Sequence, residues 1–216
     1  MLRAILFDFD GTLVDTEREY IHNFDILIRE HGVSSKEEDI PYLLGKSALQ
    51  KAEYMNEKYG TQIDGMRYLE EFREMNRDTI YTKVHKLAYP DAEGALRSAK
   101  KRGLELFICS NTPSERIAYA LKLFHWDDLF TEILSGSDLD MRKPSPKIYD
   151  YFLKKYGYEK EEVLVVEDSP NGIVSSKNAG IRTVGLCRLC PREMMDADYL
   201  IDTLDDLGPL LDRLSS

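Results

Sequence analysis

Five short apolar runs, each closed by small or polar residues, constrain the fold of this chain more than any other feature. The first, residues 2–9 (LRAILFDF), has apolar residues at both parities of a strand alternation, the pattern of a strand buried on both faces. Similar runs follow at 104–110 (LELFICS), 130–136 (FTEILSG), 162–168 (EVLVVED) and 181–187 (IRTVGLC). Helical patterns lie between them. DAEGALRSAKKRG opens on Asp91, read as an N-cap, and closes at Gly103; SPKIYDYFLKKYG follows Pro144 and closes at Gly157; SPNGIVSSKNAG runs from Ser169 to Gly180. Strands alternating with helices of this length predict βαβ units, hence one parallel sheet with helices on both faces.

Residues 16–85 break that rhythm. They hold four helical stretches and no strand pattern; in the first, Tyr20, Phe24, Leu27 and Ile28 share one face, and His31 and Gly32 close it. This predicts an α-helical domain at 16–85 inserted into an α/β domain formed by 1–15 and 86–216. The chain crosses between the two near Val14 to Thr16 and Lys83 to Pro90.

The 216 residues are 43% hydrophobic, enough for a substantial core, and the formal charge of −10 disfavours nucleic acid and anionic membranes as partners. A small anionic substrate remains compatible, because it needs only a local positive patch or a bound cation. Three cysteines do not make a disulfide framework, and no stretch of about 20 apolar residues occurs. The expectation is a cytoplasmic protein, a monomer or weak dimer.

In open α/β sheets, ligands gather outside the carboxyl ends of the strands. The first strand delivers Asp8 and Asp10 there, the second Ser110, Asn111 and Thr112, and the fourth Glu167, Asp168 and Ser169; Lys143, in MRKPSPK, follows the third. Asp8 and Asp10 share strand parity and face one way, while Phe7 and Phe9 face the other. Four carboxylates on one rim call for a cation, and all-oxygen ligation with room for water suits Mg²⁺. A carboxylate beside Mg²⁺ with a second acid close by can serve nucleophilic attack followed by proton transfer. Ser110 and Lys143 supply the donor and the positive charge to hold a phosphoryl group.

Other features have plainer readings. DLD at 138–140 repeats the acidic spelling beyond its strand and reads as a solvated loop. CRLC at 187–190 lacks the second pair that a metal site needs, Cys109 reads as a small core residue, and Trp126 as packing.

DFDGT at 8–12, SNT at 110–112, KPSPKIY at 143–149 and EDSPNGI at 167–173 occur in an order that resembles the haloacid dehalogenase superfamily of phosphotransferases. The likeness covers nearly the whole chain, and the insertion resembles the helical cap of the subgroup that includes β-phosphoglucomutase and phosphoglycolate phosphatase. It implies a Rossmann-like core with a small helical cap and a Mg²⁺-dependent phosphatase acting on a small phosphorylated metabolite, such as a sugar phosphate. In that scheme Asp8 attacks phosphorus to give an aspartyl phosphate and Asp10 serves as acid and then base. Asp8, the carbonyl of Asp10 and Asp168 hold the metal, with Glu167 a further ligand or an acceptor for metal-bound water. Ser110, the amide of Asn111 and Lys143 bind phosphate, Thr12 fixes the loop, and Lys46, in LLGKS, reaches the rest of the substrate.

A phosphosugar mutase is the nearest alternative. The nearest counterparts here of the mutase arginine and histidine are Ala48 and Tyr20, with His22 two residues beyond, which weakens that reading. From another class, a phospho-accepting signalling module also gathers acids, a hydroxyl and a lysine at a sheet edge, but it has no use for helices covering its aspartate.

Overall fold

The computed structural model describes residues 1–215. Its strands are β1 (Ala4–Phe7), β2 (Glu105–Ser110), β3 (Glu132–Ser135), β4 (Val163–Glu167), β5 (Arg182–Leu186) and β6 (Tyr199–Ile201), all parallel in the order β3-β2-β1-β4-β5-β6. β1 is therefore central. Phe7 pairs with Ile108 on one side and with Val166 on the other, so the chain segments that follow these strands emerge side by side.

Parity decides the two faces. Ile5, Phe7 and Phe9 enter one core, with α5 (Ala92–Lys101), α6 (Ser114–Phe124) and α9 (Leu207–Ser215). Ala4 and Leu6 enter the other, with Ile148, Tyr149 and Phe152 of α7 (Lys147–Tyr156). Asp8 continues the second parity but lies past the last ladder pair, where side chains turn to the rim. α8 (Pro170–Asn178) follows β4, its first turn capped by Ser169 Oγ accepting from the Gly172 amide at 3.1 Å.

Between β1 and β2 lie α1 (Glu17–Leu27), α2 (Ile40–Leu43), α3 (Ala48–Tyr59) and α4 (Leu69–Lys83). Phe24, Ile28, Ala48, Ala52, Met55 and Phe72 form their own apolar cluster, with Tyr20 and Leu27 against its edge. Where the chain leaves and returns, the two segments pair. Val14 and Ala88 form an antiparallel bridge, the Asp15 amide donates to Leu87 O at 2.7 Å, and the Tyr89 amide donates to Leu13 O at 3.1 Å. No helix among the described residues is long and apolar enough to cross a membrane.

One local expectation is corrected and one is refined. Asp91 makes no side-chain cap bond; its carboxylate instead pairs with Arg188 at 2.6 Å and accepts from the Leu204 amide at 2.8 Å, because a largely buried guanidinium is the stronger partner. DLD at 138–140 is the exposed turn expected, and Asp138 has a local role within it. It accepts from the backbone amide of Ser114 at 3.0 Å and from the Ser114 hydroxyl, bracing the start of α6.

Candidate active site

The expected rim residues converge. Lys143, in the connection from β3 to α7, is buried, and its Nζ donates to Asp8 Oδ1 at 2.8 Å, to Cys109 O at 2.6 Å and to Glu167 Oε1. Its backbone is held as well: Asn111 Oδ1 accepts from the Lys143 amide at 2.8 Å and Asn111 Nδ2 donates to Lys143 O at 3.2 Å. Both ends of the Asn111 side chain are thus engaged with the Lys143 backbone, which fixes the loop that carries the Asn111 backbone N–H. Ser110 Oγ, almost fully buried, accepts from the Thr112 amide at 3.2 Å, which leaves its own proton to donate.

Beside this pair lies a carboxylate cluster. One oxygen each of Asp8, Glu167 and Asp168 lie within 4.8 Å of one another. Thr12 Oγ1 donates to Asp168 Oδ1 at 3.0 Å, while Asp168 Oδ2 is buried with no hydrogen-bond partner among the described residues. Gly11, at φ +79°, brings backbone against that carboxylate so closely that a Cβ would collide with it. Buried polar oxygens are rarely left alone, so a carboxylate with an orphaned oxygen, grouped with two further carboxylates, fits a hard cation held by oxygen ligands. Among the described residues this is the one group of three or more side chains that could hold a metal, and neither Cys187 nor Cys190 belongs to it.

The electrostatics agree. Burial pushes the Asp8 carboxyl well above the usual range against the pull of Lys143, and Glu167 and Asp10 add repulsion. Burial, followed by Asp8, Glu167 and Glu17, raises Asp168 in the same way. Burial disfavours the Lys143 ammonium, but Asp8 and Glu167 outweigh it and hold the amine protonated. One ammonium among three crowded carboxylates leaves the cluster short of positive charge.

Asp10 is held differently. Its Oδ1 accepts from Thr16 Oγ1 at 2.5 Å and Tyr20 Oη at 2.9 Å, and its Oδ2 accepts from Thr112 Oγ1 at 2.5 Å. Three hydroxyls, from the chain crossing, α1 and the segment after β2, orient the second acid apart from the carboxylate cluster.

A cleft of about 450 Å³ opens between this rim and the inserted helices. Lys46 and Gly45 line it from the segment between α2 and α3. The Gly45 amide donates to the buried Glu17 carboxylate at 3.1 Å, and the fully buried Lys51 donates to Leu43 O. Burial lowers the Lys51 amine to about 8 against the attraction of Glu17.

Residues 5–186 match the family model for haloacid dehalogenase-like hydrolases. The chain belongs to that family. It is a phosphatase of the family, acting on phosphorylated small molecules. The phosphoglycolate phosphatase of Haemophilus influenzae is 30% identical, the alignment covering 85% of this chain and 85% of that one. The pyrophosphatase PpaX of Bacillus mycoides is 27% identical over 99% of both chains. Among solved structures, the β-phosphoglucomutase of Clostridium difficile superposes with a TM-score of 0.78 at 20% identity, covering 100% of this chain and 98% of that one, a likeness of fold.

Sequence reasoning brought the strand-end residues of this phosphatase together but did not find the residues that hold Asp10 from outside the sheet. Thr16 and Tyr20 are spaced i, i+4 at the start of α1, the spacing that puts two side chains on one face, and this was the available signal. Glu17 and Lys51 are buried charges whose partners come from separate elements, and nothing local in the sequence marks them.

Proposed function

We propose that this phosphatase hydrolyses the monoester of a small phosphorylated metabolite, of the sugar phosphate class, through a phosphoenzyme on Asp8. The observation that carries the reading is the division between the two acids. Asp8 is paired with Lys143 and grouped with the Glu167 and Asp168 carboxylates, whereas the carboxylate of Asp10, two residues on, is held only by hydroxyls.

The Asp8 carboxylate attacks phosphorus, the bond from phosphorus to the ester oxygen breaks, and that oxygen leaves with a proton from Asp10. Water then attacks the aspartyl phosphate while Asp10 takes one of its protons, releasing inorganic phosphate and restoring both acids. Lys143 and the Ser110 hydroxyl, with the Asn111 amide, hold the phosphoryl oxygens. Asp8, Asp168 and the Asp10 carbonyl would hold Mg²⁺, with Glu167 accepting from its water. Bound there, the ion offsets the crowded negative charge of carboxylates and phosphoryl group.

Residues 16–85 serve as a cap over the core of 1–15 and 86–216, with Lys46 reaching the part of the substrate that is not phosphate. Tyr20 and Ala48 at the mutase histidine and arginine positions favour hydrolysis over phosphosugar transfer.

The test is phosphate release from a panel of phosphorylated metabolites with and without Mg²⁺, with Asp8→Asn as the blank. Release that needs both Mg²⁺ and Asp8 is expected. Release unchanged in Asp8→Asn overturns the nucleophile, and accumulation of an isomerised sugar phosphate without free phosphate overturns hydrolysis.

A further inference from the structure

The turn that carries Lys46 to the cleft is held by charges that the reaction above does not use. It joins α2 to α3 at residues 44–47. Gly45 adopts φ +63° there, and a Cβ on it would lie 3.8 Å from Ser169 Oγ, so the inserted helices come against the rim one residue from Asp168. Leu43 and Leu44, at its start, are buried with Ile173 of α8 and with Cys190.

Polar groups fix its backbone. The Gly45 amide donates to Glu17 Oε2 at 3.1 Å, and Leu43 O accepts both from the Lys46 amide at 3.3 Å and from Lys51 Nζ. Glu17 and Lys51 sit on helices with anchors of their own. Thr16 and Tyr20 tie the start of α1 to Asp10, and Ala48, Ala52 and Met55 seat α3 in the apolar cluster of the inserted helices. The turn between α2 and α3 is the part left for the two charges to place.

After burial itself, each of the two feels the other's charge most strongly. Among the described residues Asp25 of α1 also favours the Lys51 ammonium, Lys46 opposes it, and α2 carries no charged residue. A lysine that binds its proton less readily in the folded chain than in the unfolded one opposes folding at neutral pH, and that cost is relieved as pH rises through about 8. Stability therefore does not account for the buried charge, whereas the turn it serves lines the cleft.

We infer that Lys51 is a positioning residue for substrate binding: acting through Leu43 O and Glu17, its ammonium fixes the 44–47 turn where Lys46 lines the cleft and Gly45 abuts Ser169. What the turn does for the substrate rests on the phosphatase reading above, but its placement can be measured without substrate. Deprotonation of Lys51 replaces a charge-assisted bond to Leu43 O with a weaker neutral one and removes the attraction on Glu17, so the turn loosens above about pH 8.

The experiment uses the full chain. Amide exchange followed by NMR reads the turn directly: in Lys51→Met the Gly45 amide should lose about tenfold or more of its protection while Val165, inside the sheet, keeps its own. Phosphate release with Mg²⁺ is measured on glucose 6-phosphate, fructose 6-phosphate and ribose 5-phosphate, with acetyl phosphate, which has no sugar, as the control. For the best of the three sugar phosphates, Lys51→Met should raise KM about tenfold, the scale of one lost charge-assisted contact, with kcat within about threefold and acetyl phosphate within about twofold. In the parent that KM should climb above about pH 8, and Lys51→Arg, which stays charged, should flatten the climb. Because Lys51→Met leaves Glu17 buried without its partner, the double variant Lys51→Met/Glu17→Gln controls for folding: it should melt no lower than the parent and still lose the Gly45 protection.

Gly45 protection that survives in both variants, or that is lost together with that of Val165, overturns the inference. So does a sugar phosphate KM that neither Lys51→Met nor pH moves, while phosphate release that Asp8→Asn abolishes keeps the phosphatase reading standing. If none of the four compounds yields phosphate, the phosphatase reading falls and this inference with it.

Discussion

Two buried acids, one in the inserted helices and one on the rim, show how the same side chain serves architecture or chemistry according to how completely it is partnered. Asp39, just before α2, is fully buried, and both its oxygens are used: Tyr54 Oη at 2.8 Å and Lys58 donate to Oδ1, the Lys36 amide at 2.8 Å and Tyr59 Oη at 2.7 Å to Oδ2. Burial alone would raise this carboxyl, but Lys58, the Lys36 amide and the two tyrosines outweigh it and hold it at about 2. Asp168, equally buried, has one donor and one orphaned oxygen, and burial raises it. A carboxylate with four donors has nothing left to bind. One with a spare oxygen beside two others is ready for a ligand.

The comparison can be broken most severely at Asp8. Asp8→Asn is expected to leave no measurable turnover while the protein keeps its circular dichroism spectrum. Lys143→Met, which removes the ammonium from Asp8 and Glu167, should lower kcat about 10² to 10³-fold in steady-state assays, the scale of losing one electrostatic stabiliser.

On the architectural side, Asp39→Asn should cost about 2–3 kcal/mol of stability near neutral pH, from a shift of roughly two pKa units. Because the folded value lies below the unfolded one, that stability is present above about pH 4 and is lost as pH falls toward about 2. Urea titrations of variant and parent should therefore converge on acidification, and a gap that stayed constant with pH would break the assignment. Tyr20→Phe removes one of three hydroxyls from Asp10 and should lower kcat tenfold or less, with KM little changed. The smallest effect is expected at Cys187→Ser, within about 0.5 kcal/mol in stability and unchanged in phosphate release.

Much of this division could be read from the chain. The strands of the sheet's interior were legible because Ala4 to Phe7 and Val163 to Val166 are apolar at both parities, as burial on two faces demands. β6 was not, because Tyr199–Ile201 is a three-residue strand at the end of the strand order, too short to carry a pattern. Asp8, Ser110 and Glu167 converge because strand ends are where a parallel sheet exposes its ligands, a rule that needs no tertiary contacts. The partners of Asp10 and the donors around Asp39 come from elements whose approach depends on packing, and no spacing announces it. Asp91 shows the limit from the other side: a sound local signal for a helix cap was overridden by Arg188, 97 residues away.

The paired crossing at Val14 and Ala88 has a consequence for how such enzymes diversify. Bridged residues on neighbouring antiparallel strands lie only about 5 Å apart, so everything from Asp15 to Leu87 hangs from a gap that a very short peptide could close. The helical segment is an attachment with adjacent roots, one that can be exchanged between relatives without disturbing the register of β1, β2 and β4. Recombination at those two points would transplant Thr16, Tyr20 and Lys46 in one piece onto an untouched set of Asp8, Lys143 and Asp168.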